Sequence, residues 1–317
     1  MNTTVLPAAL GILLVCLVAP ADAIPRTFVS GTGGGVTCTR AAPCADLQTA
    51  HDATDSGGEL TCLDGGNFAG ASIVTINKSI TIDCGGGSVG TVFASGAQGF
   101  LINTAGVIVR LRNLTIHGGG GSSTGIRFTA GASLFVEKCL ITNFTDTNAR
   151  GISFAPTSGA STLFVSDTTI TNNNEPSTGL GIAVEIVPSG TATVRAAFER
   201  VRAENNRQGI LVSAATGQTT QVQLHDSFVA NNLTNGLNVL GSGGNAIVVV
   251  DRTSIMYNGS NGVIANGANA RIFVGSSSIM GNNAGMATSA GGAIFSFQNN
   301  QVINAIDSAP TFVLPLN

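Results

Sequence analysis

Apolar and polar residues alternate along this chain in short runs, and the runs recur. In each repeat an apolar residue is followed five positions later by another: Leu111/Ile116, Val136/Ile141, Val165/Ile170, Phe198/Ala203, Leu224/Val229, Val250/Ile255, Val274/Ile279 and Phe297/Val302. Alternation with period two is the signature of a half-buried strand. Two such strands meeting at a tight turn place both apolar residues in a core. A third run opens on glycine and carries Ile126/Phe128, Ile152/Phe154, Ile182/Val184, Ile210/Val212 and Leu237/Val239 inward. The glycines that begin these runs, Gly99, Gly125, Gly151, Gly181, Gly209, Gly236 and Gly262, fall 26 to 30 residues apart. A period of that length predicts a solenoid, with one coil per repeat. Three strands per coil, each paired in parallel with the next coil about 4.8 Å away, make a parallel β-helix of about nine coils and roughly 40 Å.

Asparagine follows the second apolar residue in most coils, at Asn143, Asn172, Asn205, Asn231, Asn258, Asn282 and Asn304. Because asparagine tolerates left-handed backbone and bonds its own turn, these predict a stacked turn ladder. Before the repeats, Thr27-Phe28-Val29 reads as a strand that breaks into Gly31-Thr32-Gly33-Gly34-Gly35. No Gly-Lys-Ser/Thr follows those glycines, so they read as a turn and not a phosphate loop. Pro43 to Ala53, with Asp46 in its first turn, predicts a helix that covers the open N-terminal end of the stack. The expected division is a signal segment over 1–23, strand and capping helix over 24–57, repeats over 58–306 and a tail over 307–317.

These repeats resemble those of the pectate-lyase-like right-handed parallel β-helices. The N-terminal block, with Ala42-Pro43-Cys44, Leu63-Asp64-Gly65-Gly66 and Lys78-Ser79-Ile80-Thr81-Ile82-Asp83, is similar to exported bacterial β-helix proteins without assigned function. The resemblance implies an all-β, single-stranded right-handed parallel β-helix over about residues 58 to 306. On activity it says little, since one fold hosts many chemistries. Pectic enzymes of this architecture carry Trp-Ile-Asp-His, Arg-x-Pro-x-x-Arg, Asp-Asp, Gly-His-Gly or Arg-Ile-Lys motifs, and this chain has none of them.

Composition narrows the partners. The chain has 42 Gly, one Tyr, no Trp and a net charge of -3 with 10% charged residues, which fits neither a nucleic-acid footprint nor a disordered acidic tail. An apolar run from Val5 to Val18, followed by Pro20 and Ala21-Asp22-Ala23, predicts a cleaved export signal, with no membrane span afterwards and a secreted or periplasmic location. Export permits disulfides. Cys38 and Cys44 can close a small loop, Cys62 and Cys84 lie about one coil apart, and Cys139 falls at an inward position. The three His are dispersed and no Gly-Gly-x-Gly-x-Asp repeat occurs, so no metal or other cofactor is expected. The sequons at Asn77, Asn113, Asn143, Asn232 and Asn258 arise from the Asn/Thr-rich turns.

Charge gathers in three places. One turn column reads Lys138, Asp167, Arg200, Asp226 and Arg252, alternating in sign, which predicts a salt-bridged ladder. Beside it runs Arg112, Glu137, Ser166, Glu199, His225 and Asp251, more readily a structural ion network than an acid/base trio. The outward residues of the Gly-initiated strand, Arg127, Ser153, Ala183, Leu211, Asn238 and Ile264, form no row of carboxylates. The loop edge before that strand supplies His117, Asp146, Arg150, Glu175, Glu204 and Arg207 where coil length varies, and loops on a rigid scaffold are where sites are grafted. Arg195, Arg202 and Arg207 add positive charge nearby that could hold a ligand. Three readings follow. The first is a non-catalytic scaffold that binds polysaccharide or a cell-surface glycan. The second is a lyase, hydrolase or epimerase using Asp146, Glu175 and Glu204 on an acidic polysaccharide. The third is a purely structural or adhesive spacer.

Overall fold

The computed structural model describes residues 24–70, 73–85, 90–119, 121–174, 180–305 and 310–315. Segment 1–23, expected to be an export signal, lies outside them, and so does Glu175.

Three parallel sheets wind around one core, making a right-handed β-helix of about nine coils with a single helix among the described residues. The first sheet has 12 strands, from Arg26–Val29 to Phe312–Leu314; the second has 10, from Gly66–Asn67 to Gln301–Ile303; the third has nine, from Val74–Ile76 to Ala284–Ser289. The strand expected before the repeats therefore joins the solenoid, and so does part of the segment expected to be a tail. Arg26–Val29 pairs with Glu59–Cys62, and Phe312–Leu314 pairs with Phe295 to Phe297.

Period-two alternation gives the core directly. In the first sheet Val136, Val165, Phe198, Leu224, Val250 and Val274 stack in register with at most 1% exposure. In the third, Phe128 and Phe154 stack at 4.3 Å between ring centroids. Glycine at the head of that strand lets the next coil approach. A Cβ at Gly125 would meet the Gly151 carbonyl oxygen at 2.5 Å and Ile141 at 2.8 Å.

Two turn ladders replace the one expected. Asn143, Asn172, Asn205 and Asn231 take left-handed backbone, and Tyr257 continues their column at φ 57°. The residues one position later point inward: Asn173, Asn206, Asn232, Asn258 and Asn282 are all 0 to 1% exposed. There each side-chain amide donates to the next oxygen, as in Asn232 Nδ2 to Asn258 Oδ1 at 2.9 Å and Asn258 Nδ2 to Asn282 Oδ1 at 2.9 Å. Asn258, Asn282 and Asn304 thus belong to the inner ladder, one residue out of step with the others. The cause is the left-handed position before the inner one, which Tyr257 and Gly281 fill as Asn does elsewhere; in the coil of Asn143 the inner place is taken by buried Phe144, whose amide donates to Asn173 Oδ1.

Helix α1 spans Leu47–Ala53 and begins later than Pro43 suggested. Cys44 is held extended by bonds to Phe28 and Ser30, so Asp46 becomes the N-cap, accepting from the Thr49 amide at 2.8 Å. Leu47, Ala50 and His51 are fully buried, and the helix packs on Val74–Ile76 as well as on the first two strands of the first sheet. Cys38 is bonded to Cys44, and Cys62 to Cys84.

Candidate functional site

Register along the third sheet decides which side chains meet outside it. Ile152 pairs with Val184, 32 residues on, and Val184 with Ile210, 26 on. Gly181 is therefore not the strand-opening glycine of its coil: Ala183 occupies that place and is fully buried. The outward residue beside Ser153 is Glu185, and the outer row begins Arg127, Ser153, Glu185. The expected row with Ala183 is two residues out of register, which hid a carboxylate. The alternation Val184-Glu185-Ile186 carried the signal for it.

These three residues floor a cleft of about 370 Å³. One wall is the loop through Asp146, Thr147 and Asn148, aimed by the left-handed Asn148 at φ 62°; Ser123 and Thr124 close another side. Arg150 lies over the floor with Nε 2.9 Å from Glu185 Oε2, and its Nη1 donates to the Ala149 carbonyl at 3.0 Å. Ser153 Oγ donates to the same Glu185 oxygen at 3.2 Å. The two side chains are 12% and 16% exposed, so this pair is largely withdrawn from water and its geometry is fixed. Arg127 and Asp146 make no ion pair among the described residues and line the cleft. Two guanidiniums and two carboxylates balance in charge.

The other loop-edge residues lie elsewhere. Glu204 is engaged by Arg202 at 2.7 Å, and Arg202 also stacks over Phe228. His117 stacks on Phe93, with its Nε2 2.7 Å from Asn143 Nδ2. Among the described residues Arg207 joins none of these groups, and a Cβ at Gly181 would meet its Cβ at 3.2 Å. Arg195 stands on the first sheet and lines two shallow depressions there. Of Asp146, Arg150, Glu204, Arg207 and His117, only Asp146 and Arg150 share the cleft.

The turn column is paired two by two. Arg200 bonds Asp167 at 2.6 Å and Arg252 bonds Asp226 at 2.9 Å, each pulling its carboxylate below the usual range. Lys138 makes no ion pair among the described residues, so the alternation of sign is not a continuous chain of bridges there. In the next column Arg112 pairs with Glu137 at 2.8 Å and His225 Nδ1 with Asp251 at 3.0 Å. These groups lie on a flat outer face, spoken for by their neighbours. Cys139 is buried, and burial pushes its thiol up to about 12. Of the sequons, Asn232 and Asn258 are interior ladder members, whereas Asn77 is exposed. Among the described residues no group of three His, Cys, Asp or Glu is placed to hold a metal ion.

No protein-family profile matches the chain, and no curated protein sequence does. Among solved structures, the crystal structure of pectate lyase Pel9A matches with a TM-score of 0.62, over 90% of this chain and 79% of that one, at 14% sequence identity. The fold is thus a pectate-lyase-like right-handed β-helix.

Proposed function

We propose that this is an extracytoplasmic β-helix that binds a saccharide, without cleaving it, in the cleft of Arg127, Asp146, Arg150, Ser153 and Glu185. The observation that carries the reading is the cleft's balance. Fixed carboxylate and guanidinium groups, interleaved with hydroxyls, offer acceptors and donors to sugar hydroxyls without a net field. Arg150 and Glu185 hold one another, which pre-organises the floor and lowers the cost of binding. The two disulfides, and the apolar leader followed by small residues, support the location outside the cytoplasm. No described helix is long and apolar enough to cross a membrane.

The test is a glycan panel followed by calorimetry. Binding of an uncharged oligosaccharide is expected, weakened at least tenfold by Arg127→Ala and by Glu185→Gln while the melting temperature of Arg127→Ala stays that of the parent. Binding unchanged in both variants would overturn the site.

A second reading, a glycoside hydrolase or polysaccharide lyase, is favoured by one fact: Asp146 and Glu185 open on the same cleft, and paired carboxylates are the usual means of glycosidic cleavage. It predicts reducing-end or unsaturated products that disappear in Glu185→Gln. Their absence across neutral and acidic polysaccharides removes it.

A further inference from the structure

We propose that the outer face of the 12-stranded sheet carries a second binding surface, separate from the cleft, for an extended anionic polysaccharide lying along the helix axis and held by Arg195 and Arg271. The sheet's register supplies the geometry. Thr162, Arg195, Gln221, Ile247 and Arg271 are consecutive partners in one outward column. Arg195 and Arg271 are three strand steps apart, about 14 Å. The next outward column runs Phe164, Ala197, Gln223, Val249, Phe273 and Phe295. Over these strands neither column contains a carboxylate.

Partnering separates these two arginines from the others on the same sheet. Arg112, Arg200 and Arg252 are bound to carboxylates, and Arg110 lies 3.9 Å from the centre of the Phe135 ring. Arg195 and Arg271 are exposed and, among the described residues, make no ion pair or ring contact. The acids of the neighbouring column do not reach them: Glu199 is taken by Arg200, and Asp251 by His225 and Arg252. Two depressions, of about 370 and 290 Å³, meet at Arg195 and Gln221 and make one groove along the axis. Its floor holds Thr and Gln for hydroxyls, then Ile247 and Val249 for the apolar faces of sugar rings. Beyond, Phe273 and Phe295 stack at 4.6 Å. Unpaired cations over a flat, acid-free, partly apolar strip complement a polymer that carries a negative charge at intervals and C–H faces between.

The experiment is affinity electrophoresis and calorimetry of the full chain with alginate, heparin and uncharged dextran. The wild type is expected to be retarded by alginate or heparin in a salt-sensitive manner, and to show no salt-sensitive retardation by dextran. Arg195→Ser with Arg271→Ser should weaken that binding at least tenfold, each alone about threefold, while Arg127→Ala leaves it unchanged. Because the cleft is read out by an uncharged oligosaccharide and Arg127, failure of one surface does not imply failure of the other. Wild-type affinity in the double variant, or no salt-sensitive retardation of the wild type, overturns the proposal. So does binding confined to phosphatidylglycerol vesicles, or a dimer in sedimentation that the double substitution dissolves; these would assign the face to a membrane or to a second copy.

Discussion

Replacing Asn232 by alanine removes one rung from the interior ladder, and the structure gives the size of the effect. Asn232 Oδ1 accepts from the Asn206 amide N–H at 3.1 Å and from Asn206 Nδ2 at 3.3 Å; Asn232 Nδ2 donates to the Ala203 carbonyl at 3.1 Å and to Asn258 Oδ1 at 2.9 Å. Most of those partners keep another bond. Asn206 Nδ2 still reaches the Ile170 and Glu204 carbonyls, both at 3.0 Å, and Asn258 Oδ1 still accepts the Asn232 amide at 3.1 Å. The Asn206 N–H, inside a residue with no exposure, loses its side-chain acceptor. An orphaned buried donor costs about 1–3 kcal/mol and each of the three further lost bonds about 1 kcal/mol, so the sum is about 4–6 kcal/mol. For a chain of this size that lowers the melting temperature by about 6–12 °C. Thermal melts followed by circular dichroism near 218 nm measure it, with exposed Asn283→Ala as control, expected within 1 °C of the parent. A melt for Asn232→Ala within 2 °C of the parent would refute the view that the inner ladder is a continuous, stability-bearing network.

Three other outcomes are expected. Replacing Cys62 and Cys84 together by serine opens a loop spanning one coil and should cost about 3 kcal/mol, read as a lower urea midpoint. Asp64, bonded by Ser30 and the Gly31 amide, and Asp167 and Asp226, bonded by arginine, are all held below the ordinary carboxylate range. Depressed values stabilise the folded chain above the unfolded value near 4, and the contribution is lost as pH falls through the folded values. Melting temperature should therefore be flat between pH 7 and 5 and drop below 4, less steeply in Asp64→Asn. Cys139, buried and with its thiol pushed up to about 12, should resist iodoacetamide at pH 8 in the folded chain and react at once in urea.

The solenoid was legible because its signal is repeated. Five-residue apolar spacing recurs in eight coils, and every such pair from Leu111/Ile116 to Val274/Ile279 is buried. Errors arose where one coil departs from the rest and nothing local marks the departure. Gly181 looks like a strand-opening glycine, yet its φ of 154° and the 32-residue step to Val184 show that it belongs to the preceding turn. Placing that strand two residues early turned Glu185 into an invisible residue and the outer row into an uncharged one. The Asn pairs failed differently: Asn172 and Asn173 are identical in type, and only backbone conformation tells which turns the chain and which faces inward. Convergence of Asp146 and Arg150 with Glu185 could not be read from spacing, because it depends on the path of a loop across the sheet. Their residue types pointed to the loop edge, but register selected among them.

The two ends of the rod are built differently. At one, α1 covers the first coils and two disulfides tie them; at the other Ile303, Phe312 and Val313 are 51–67% exposed on the last strands. Coils that contact only their neighbours open by fraying, so the chain has a weak end and a strong one. Amide hydrogen exchange should then run as a gradient, fast at Phe312 and slow toward Leu60. A protease acting on the native protein would nibble from the C-terminal side, leaving shortened rods whose new last coil is again a frayed edge. The protein would thus wear down progressively, keeping the Arg127–Glu185 cleft until the unravelling had passed about halfway along its length.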